Sequence, residues 1–434
     1  MNPVKEILCN KESGQSALYS VCTADPLVIR AAVRHAKKND YILVIEATAN
    51  QVNQYGGYTG MKPNDYVSMV RGIMDEEELH ENRVILGGDH LGPLTWQNLS
   101  EDEAMARAKE LVYAFTLAGF TKIHLDTSMR VASDDPGAPL DLRVCARRGA
   151  RLANCVKKAY QELKAGNPDA VRPVLVIGSE VPVPGGSHEH EDSITPTDPE
   201  EFRRQYHVFR EEFLTAGAPF EDVVAFVVQP GVEFGDDFVF QYNRNNASSL
   251  TEALRDYAPL VFEGHSTDYQ TRTSLCRMTE DGIRILKVGP ALTFALREAL
   301  LLAEEIETLT VSDPYKRSGF RKALLNEMDA DDKYWKKYYT GTQAEIDYKK
   351  LYSYSDRCRY YLPSKSVQSS INILLRNLDT IPAALVSQYF PRQYAKAMEG
   401  ELSFDALSVI LDRIGDWCDL YAAACGVKLN KKET

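Results

Sequence analysis

VILGGDHLGPLTWQNLSEDEAMARAKELVYAFTLAGFTKIHLDTS (84–128) is the stretch whose reading decides the fold. It opens on an apolar run, VILGGDH (84–90), followed by EDEAMARAKELVYAFTLAG (101–119), whose apolar residues recur at helical spacing and whose final Gly suits a helix C-cap. KIHLDTS (122–128) then reads as a second strand, and a strand, helix, strand unit of this kind implies a parallel sheet. The same unit recurs on either side. Upstream stand SALYSVCTA (16–24) and YILVIEAT (41–48); downstream stand VLVIGSE (174–180), VVAFVVQPG (223–231), LVFEGHS (260–266) and IRILKVGP (283–290). Eight such units with no dinucleotide-binding glycine fingerprint predict an α/β fold, a closed (β/α)8 TIM barrel over 1–310, in preference to an open doubly wound sheet. From 311 to 434 helical spacing dominates, broken by the aromatic stretches YWKKYY and YSYSDRCRYYLP. This part reads as a helical C-terminal extension packing on the barrel or on a neighbouring subunit, which admits a homo-oligomer, and no chemistry is assigned to it.

The composition excludes several classes of function. A formal net charge of −12 argues against a nucleic-acid binder, which needs a basic face for phosphates. No run of about 18 apolar residues suggests a membrane span, and MNPVKEILCNKESGQ lacks the apolar core of a signal peptide, so the cytoplasm is the expected location. The eight cysteines show no CxxC pair or zinc-finger spacing and read as reduced and mostly buried. A phosphate-binding P-loop, G-x-x-x-x-G-K-[ST], does not occur.

The strand ends carry the functional signal. Seven of the eight runs finish in or beside a polar group: Thr23, Glu46, Asp89 with His90, Asp126, Glu180, Gln229 and His265, with Lys287 inside the eighth. In a parallel barrel those ends converge on one mouth, where enzymes of this fold place their active sites. A single carboxylate there could cap the next helix, but a whole ring of polar ends calls for another explanation. His90, Glu180 and His265, from strands three, five and seven, form a ligand set suited to a divalent metal, zinc first, with manganese, cobalt or nickel as alternatives. Asp89, beside His90, is the candidate acid/base, with helix capping or orientation of His90 as its competing role. Glu46 is a second candidate for proton transfer, and Asp126 a ligand or a base. Gln229 reads as a weak ligand or a contact to a substrate hydroxyl. His124, one layer deeper than Asp126 on the same face, suits core filling or support of a ligand.

Two loops look built for an anion. Ser266 and Asp268 in GHSTDY, and Gly289 and Thr293 in VGPALTF next to Lys287, follow strands seven and eight, where helix N-terminal amides of this fold recurrently hold phosphate. Asn50 and Gln51 open NQVNQYGGYTGMKP (50–63), whose amides and phenols match sugar hydroxyls. VPVPGGSHEHED (181–192) is long and polar enough to fold over the site as a lid, with His188 and His190 expected to be exposed.

With IEATANQVNQYGGYTGM, ILGGDHLGP, KIHLDTSM, SEVPVPGG, VVQPGVEFG, GHSTDYQTR, LKVGPALTFALRE and YWKKYY, the chain resembles the GatZ/KbaZ family over nearly its whole length. That family is described as the non-catalytic subunit of class II D-tagatose-1,6-bisphosphate aldolase, and some members look like metal-dependent epimerases of D-tagatose 6-phosphate and D-fructose 6-phosphate at C4. The resemblance therefore implies a phosphorylated ketohexose as ligand, a divalent metal, and a class II aldolase catalytic subunit as a possible partner. Asp89-His90, Asp126 and Glu180 are also similar to the acid/base aspartate, metal histidine, fourth-strand aspartate and fifth-strand glutamate of class II aldolases. Gln229 departs from that pattern, standing where those enzymes have a metal histidine, and His265 is offset from their seventh-strand histidine.

Overall fold

In the computed structural model, which describes residues 2–9, 14–179 and 194–430, the eight runs form one closed parallel barrel. Its strands are Leu18–Cys22, Leu43–Thr48, Val84–Leu91, Lys122–Leu125, Val174–Ile177, Val223–Val228, Val261–Gly264 and Ile283–Val288. Each pairs with its neighbours in sequence, and the first closes on the last through Leu18 opposite Ile285 and Val21 opposite Val288. Several strands stop short of the runs read from sequence. The fourth ends at Leu125 because Asp126 turns to accept the Ser128 amide (3.1 Å) and hydroxyl (2.6 Å), leaving the ladder.

Eight helices alternate with the strands, from Pro26–Asn39 to Pro290–Thr310. Their starts follow capping chemistry: the side chains of Asp25, Ser100, Asp141, Asp198, Asn243 and Thr271 each accept a backbone N–H of the first helical turn. A short hairpin, Glu233–Phe234 with Val239–Phe240, lies within the loop after strand six and has no counterpart in the sequence reading.

The barrel interior is divided by polarity. Its lower half is apolar, built from Leu18, Val44, Ile85, Val176, Val227 and Ile285, and the N-terminal helix Pro3–Cys9 seals it with Val4, Ile7 and Leu8. Asn2 fixes this plug by donating to the carbonyl oxygens of Thr121 (3.0 Å) and Arg172 (2.9 Å). The upper half is charged, so water-accessible chemistry is confined to the C-terminal mouth.

Beyond Thr310 the chain forms further helices, and the last, Ala406–Ala424, packs on Pro26–Asn39, Arg272–Glu280 and Pro290–Thr310. Its Tyr421 hydroxyl donates to the Thr267 carbonyl (2.6 Å), and its buried side chains join the same apolar cluster as the barrel helices. The extension therefore continues the barrel's outer core. Among the described residues no helix is long and apolar enough to cross a membrane.

Candidate active site

Strand alternation brings one inward residue from each of several strands to the same level. Lys122, fully buried, lies between Glu46 Oε1 (2.6 Å) and Glu263 Oε2 (2.7 Å). Lys287 bonds the other oxygen of Glu46 and reaches Asp89 Oδ1 at 2.9 Å. Three carboxylates thus share two ammonium groups in a site from which water is largely excluded, where breaking any pair leaves an uncompensated charge. Gly87 makes room for this network, since a Cβ there would fall 2.4 Å from Glu46 Oε1.

Three imidazoles sit beside these charges, with ring centroids 5.0 to 5.2 Å apart: His90, His124 and His265. His90 adopts a left-handed backbone (φ 48°), uncommon for a non-glycine residue, and its Nδ1 is 2.9 Å from Asp126 Oδ2. His124 Nδ1 is 2.8 Å from Asp89 Oδ1, while its Nε2 is buried without a partner. His265 Nε2 is 3.0 Å from Glu263 Oε1. Burial lowers the His265 imidazole to about 4 despite the opposing pull of Glu263, so the ring is neutral near pH 7. Burial works the other way on Asp89, but His90, Lys287 and His124 outweigh it and hold the carboxyl well below its usual range. Asp126 is likewise held low against burial, by its bond to His90.

Donor atoms of Asp89, His124, Glu263 and His265 all lie within 4.8 Å of one another. Together with the orphaned Nε2 of His124 and the neutral His265, they fit a divalent ion that accepts mixed nitrogen and oxygen ligands. This set differs from the one read from sequence. His90 and His265 are at the mouth as expected, but His124 and Glu263 take part, and Glu180 lies outside the described residues, as do His188, His190 and the 181–192 segment.

A pocket open to solvent lies above this layer, and Asn50, Gln51, Asp89, His90, His265, Ser266, Asp268, Lys287 and Gly289 all line it. Four residues expected in the site do not. Glu46 is sealed beneath the pocket by its two lysine bonds. Asp126 is turned to His90 and Ser128, so it orients the imidazole. Gln229 Oε1 closes the turn after strand six by accepting the amides of Gly231 (2.8 Å) and Val232 (3.0 Å). Thr293 donates to Asp356 Oδ2 (2.7 Å) behind the pocket wall. The expected phosphate site is also altered, because Asp268 Oδ1 already accepts the Gly289 (3.0 Å) and Ala291 (2.8 Å) amides at the start of helix Pro290–Thr310. An anion placed on those amides would have to displace that carboxylate.

Several residues of the site were missed by sequence reasoning. Lys122 lies four residues before Asp126 and Glu263 two before His265, so strand periodicity carried a signal for both, whereas His124, read as core filling or support of a ligand, stands among the candidate donors themselves. Tyr58, Arg359 and Tyr360 also line the pocket, the last two from the extension to which no chemistry had been assigned. Nothing in the local pattern of YSYSDRCRYYLP singles them out.

Gly92 lets the chain after strand three pass closely against the Asp126 backbone, because a Cβ at that position would lie 1.6 Å from the Asp126 carbonyl oxygen. Gly92→Ala is expected to destabilise the protein by roughly 1–3 kcal/mol through forced displacement of the Asp126 backbone. Denaturant unfolding of the variant beside the parent chain measures this.

The family model described as D-tagatose-1,6-bisphosphate aldolase subunit GatZ/KbaZ-like matches residues 4–426. Among solved structures, the chain is similar to one described as a probable tagatose 6 phosphate kinase from Sinorhizobium meliloti 1021, at 40% identity and TM-score 0.85, covering 94% of this chain and 100% of that one. It also matches fructuronate-tagaturonate epimerase UxaE from Cohnella laeviribosi at 12% identity and TM-score 0.44, over 96% of this chain and 83% of that one. The YdjI aldolase from Escherichia coli K12 matches at 11% identity and TM-score 0.39, over 86% of this chain and 96% of that one.

Proposed function

The chain belongs to the GatZ/KbaZ-like family, and from that premise we propose that it is a metal-dependent 4-epimerase interconverting D-tagatose 6-phosphate and D-fructose 6-phosphate. The observation that carries this reading is the charged layer at the mouth, where Asp89, Lys287, His90 and His265 border one pocket. Burying ions costs several kcal/mol each, and a subunit acting only as a scaffold has no need of them.

Inversion at C4 by this route begins with removal of the C4 hydroxyl proton. The C3–C4 bond then breaks, its electron pair passing to the ketose fragment, and C4 becomes an aldehyde carbon. Rotation of the aldehyde, reformation of the bond and return of the proton give the epimer, so atoms and electrons balance without a redox partner. Asp89 is the one of the three candidate proton carriers, Asp89, Asp126 and Glu46, that borders the pocket, and it takes the proton in this scheme. Lys287, held by Glu46 and Asp89, presents an ammonium to developing negative charge on oxygen. His90, fixed by Asp126, is 3.7 Å from Asp89 and stabilises its charged form. Asn50 and Gln51 line the same pocket, and side-chain amides of this kind suit sugar hydroxyls. A divalent ion held among His124, His265, Asp89 and Glu263, zinc being the first candidate, would supply Lewis-acid polarisation of the ketose carbonyl.

Glu263 contributes twice to this set, offering a carboxylate oxygen and anchoring His265, and a partner of the second kind alone orients a metal-binding imidazole. Glu263→Gln is therefore expected to weaken divalent-metal affinity by roughly 10- to 100-fold, read by competition with a chromophoric chelator.

The family description favours a second reading, in which the chain stabilises a separate class II tagatose-bisphosphate aldolase and has no turnover itself. That reading predicts a stable complex and a longer-lived aldolase activity on mixing; absence of association in co-purification removes it.

A further inference from the structure

The pocket wall holds two cations with opposite surroundings. Lys287, on the floor, is matched by Glu46 and Asp89. Arg359 belongs to the short turn Arg357–Tyr360 of the extension and faces the same pocket. It forms no ion pair with any described carboxylate. Its Nη1 instead donates to the carbonyl oxygens of Ser355 (2.5 Å) and Asp356 (3.0 Å), and its Nη2 to the Tyr360 hydroxyl (3.1 Å). The acids whose fields reach it are engaged elsewhere. Asp356 accepts Arg297 Nε (3.0 Å) and the Thr293 hydroxyl (2.7 Å), and Asp268 accepts the Gly289 and Ala291 amides.

The guanidinium is nevertheless held in place. It lies 4.5 Å from the centroid of the Tyr360 ring, which stacks on Tyr334 (4.6 Å, 9°) and meets Tyr58 edge-on (5.0 Å). With Nη1 donating twice and Nη2 once, the Nε and remaining Nη2 hydrogens form a fixed edge whose charge has no carboxylate partner among the described residues. Such an edge is suited to an oxyanion, since little ordering remains to be done on binding. The helix start across the pocket, by contrast, is already covered by a carboxylate.

Resting on the ketose reading above, we propose that Arg359 receives the terminal oxyanion of the sugar, a phosphate or a carboxylate at C6, and thereby makes the C-terminal extension the part of the chain that selects charged over neutral ketoses. The anion-binding role expected of the loops after strands seven and eight passes to a residue outside the barrel. Those loops retain contact with the pocket through Ser266, Asp268 and Gly289.

The test is calorimetric titration of the full-length chain, its Arg359→Gln variant and its Arg359→Lys variant with D-fructose 6-phosphate, D-fructuronate and D-fructose. The parent chain is expected to bind at least one of the two charged ligands roughly 10- to 100-fold more tightly than fructose, the range of a charge-assisted bidentate contact. In Arg359→Gln that ratio should fall to within about threefold of one, and in Arg359→Lys, which keeps the charge but loses the fork, it should be intermediate. Which charged ligand shows the preference identifies the oxyanion. A parent chain with no preference for charge, or an Arg359→Gln variant that keeps it, overturns the proposal; so does loss of the preference equally in Arg359→Lys with loss of cooperative unfolding in both variants, which would make the residue structural. The outcomes separate from those of the epimerase reading. A chain that binds the charged ketose through Arg359 without converting it sustains this inference and defeats epimerisation, and a chain that epimerises with Arg359→Gln unaffected does the reverse.

Discussion

Lys122→Met is expected to destabilise the protein by roughly 3–5 kcal/mol, the range for removing one partner of a buried ion pair. Lys122 has no exposed surface and is the cation nearest Glu263 among the described residues, where its other ammonium neighbour, Lys287, stands 3.9 Å away. Methionine fills nearly the same volume, so the loss would come from charge and not from a cavity. In the parent chain burial tends to raise the Glu263 carboxyl, but Lys122, Lys287 and His265 outweigh it and hold it well below its usual range. Without Lys122 that balance shifts upward. A carboxyl held low in the fold contributes stability that is present above its unfolded pKa and lost as pH falls through the folded one, so the deficit of the variant should be larger at pH 7 than at pH 4, within the carboxylate range. The double variant Lys122→Met with Glu263→Met should recover much of the loss, because an apolar pair tolerates the site better than a lone carboxylate. Urea unfolding of the parent and the two variants at both pH values checks this; equal deficits at both would show that charge is not the cause.

Asp89→Asn is expected to lower kcat for ketose 6-phosphate epimerisation by roughly 10²- to 10⁴-fold, the contribution typical of a positioned proton carrier. The substitution keeps an oxygen to accept the His90 amide (3.0 Å), and Lys287 keeps its bond to Glu46. What disappears is the carboxylate charge at the pocket floor, which serves both as the proton acceptor and as one of the four donors toward the metal, so turnover is compared at equal metal content. Steady-state kinetics on variant and parent, with metal content measured on the same samples, tests the role: turnover within about threefold of the parent would show that Asp89 does not carry the proton.

The barrel was legible because each strand is a short aliphatic run and the segment after it carries helical apolar spacing, two local signals that agree. His90, His265 and Asp89 were legible because polar residues at the C-terminal ends of parallel strands have one destination. What the sequence concealed follows from the same physics. Lys122 opens its strand, where a lysine ordinarily faces solvent, and its burial is explained only by Glu46 and Glu263 from strands two and seven. Glu46 looked like a catalytic carboxylate until those partners placed it beneath the pocket. Asp268 looked like part of a phosphate cradle, yet its own carboxylate takes the amides that would have formed one. Gln229 closes a turn by bonds to residues two and three positions on, a role that many polar residues could fill. Arg359 comes from a segment nearly 70 residues past the last strand, and its place at the pocket depends on how the extension folds back over the barrel.

The central claim is that this mouth performs catalysis without a second protein. It is tested most directly by incubating the purified lone chain, reconstituted in turn with zinc, manganese, cobalt or nickel, with D-tagatose 6-phosphate and following the appearance of D-fructose 6-phosphate. The account predicts conversion proportional to protein concentration, stopped by a chelator and restored by adding the metal back. No conversion with any of these metals, for the phosphorylated ketose or the free one, would contradict it.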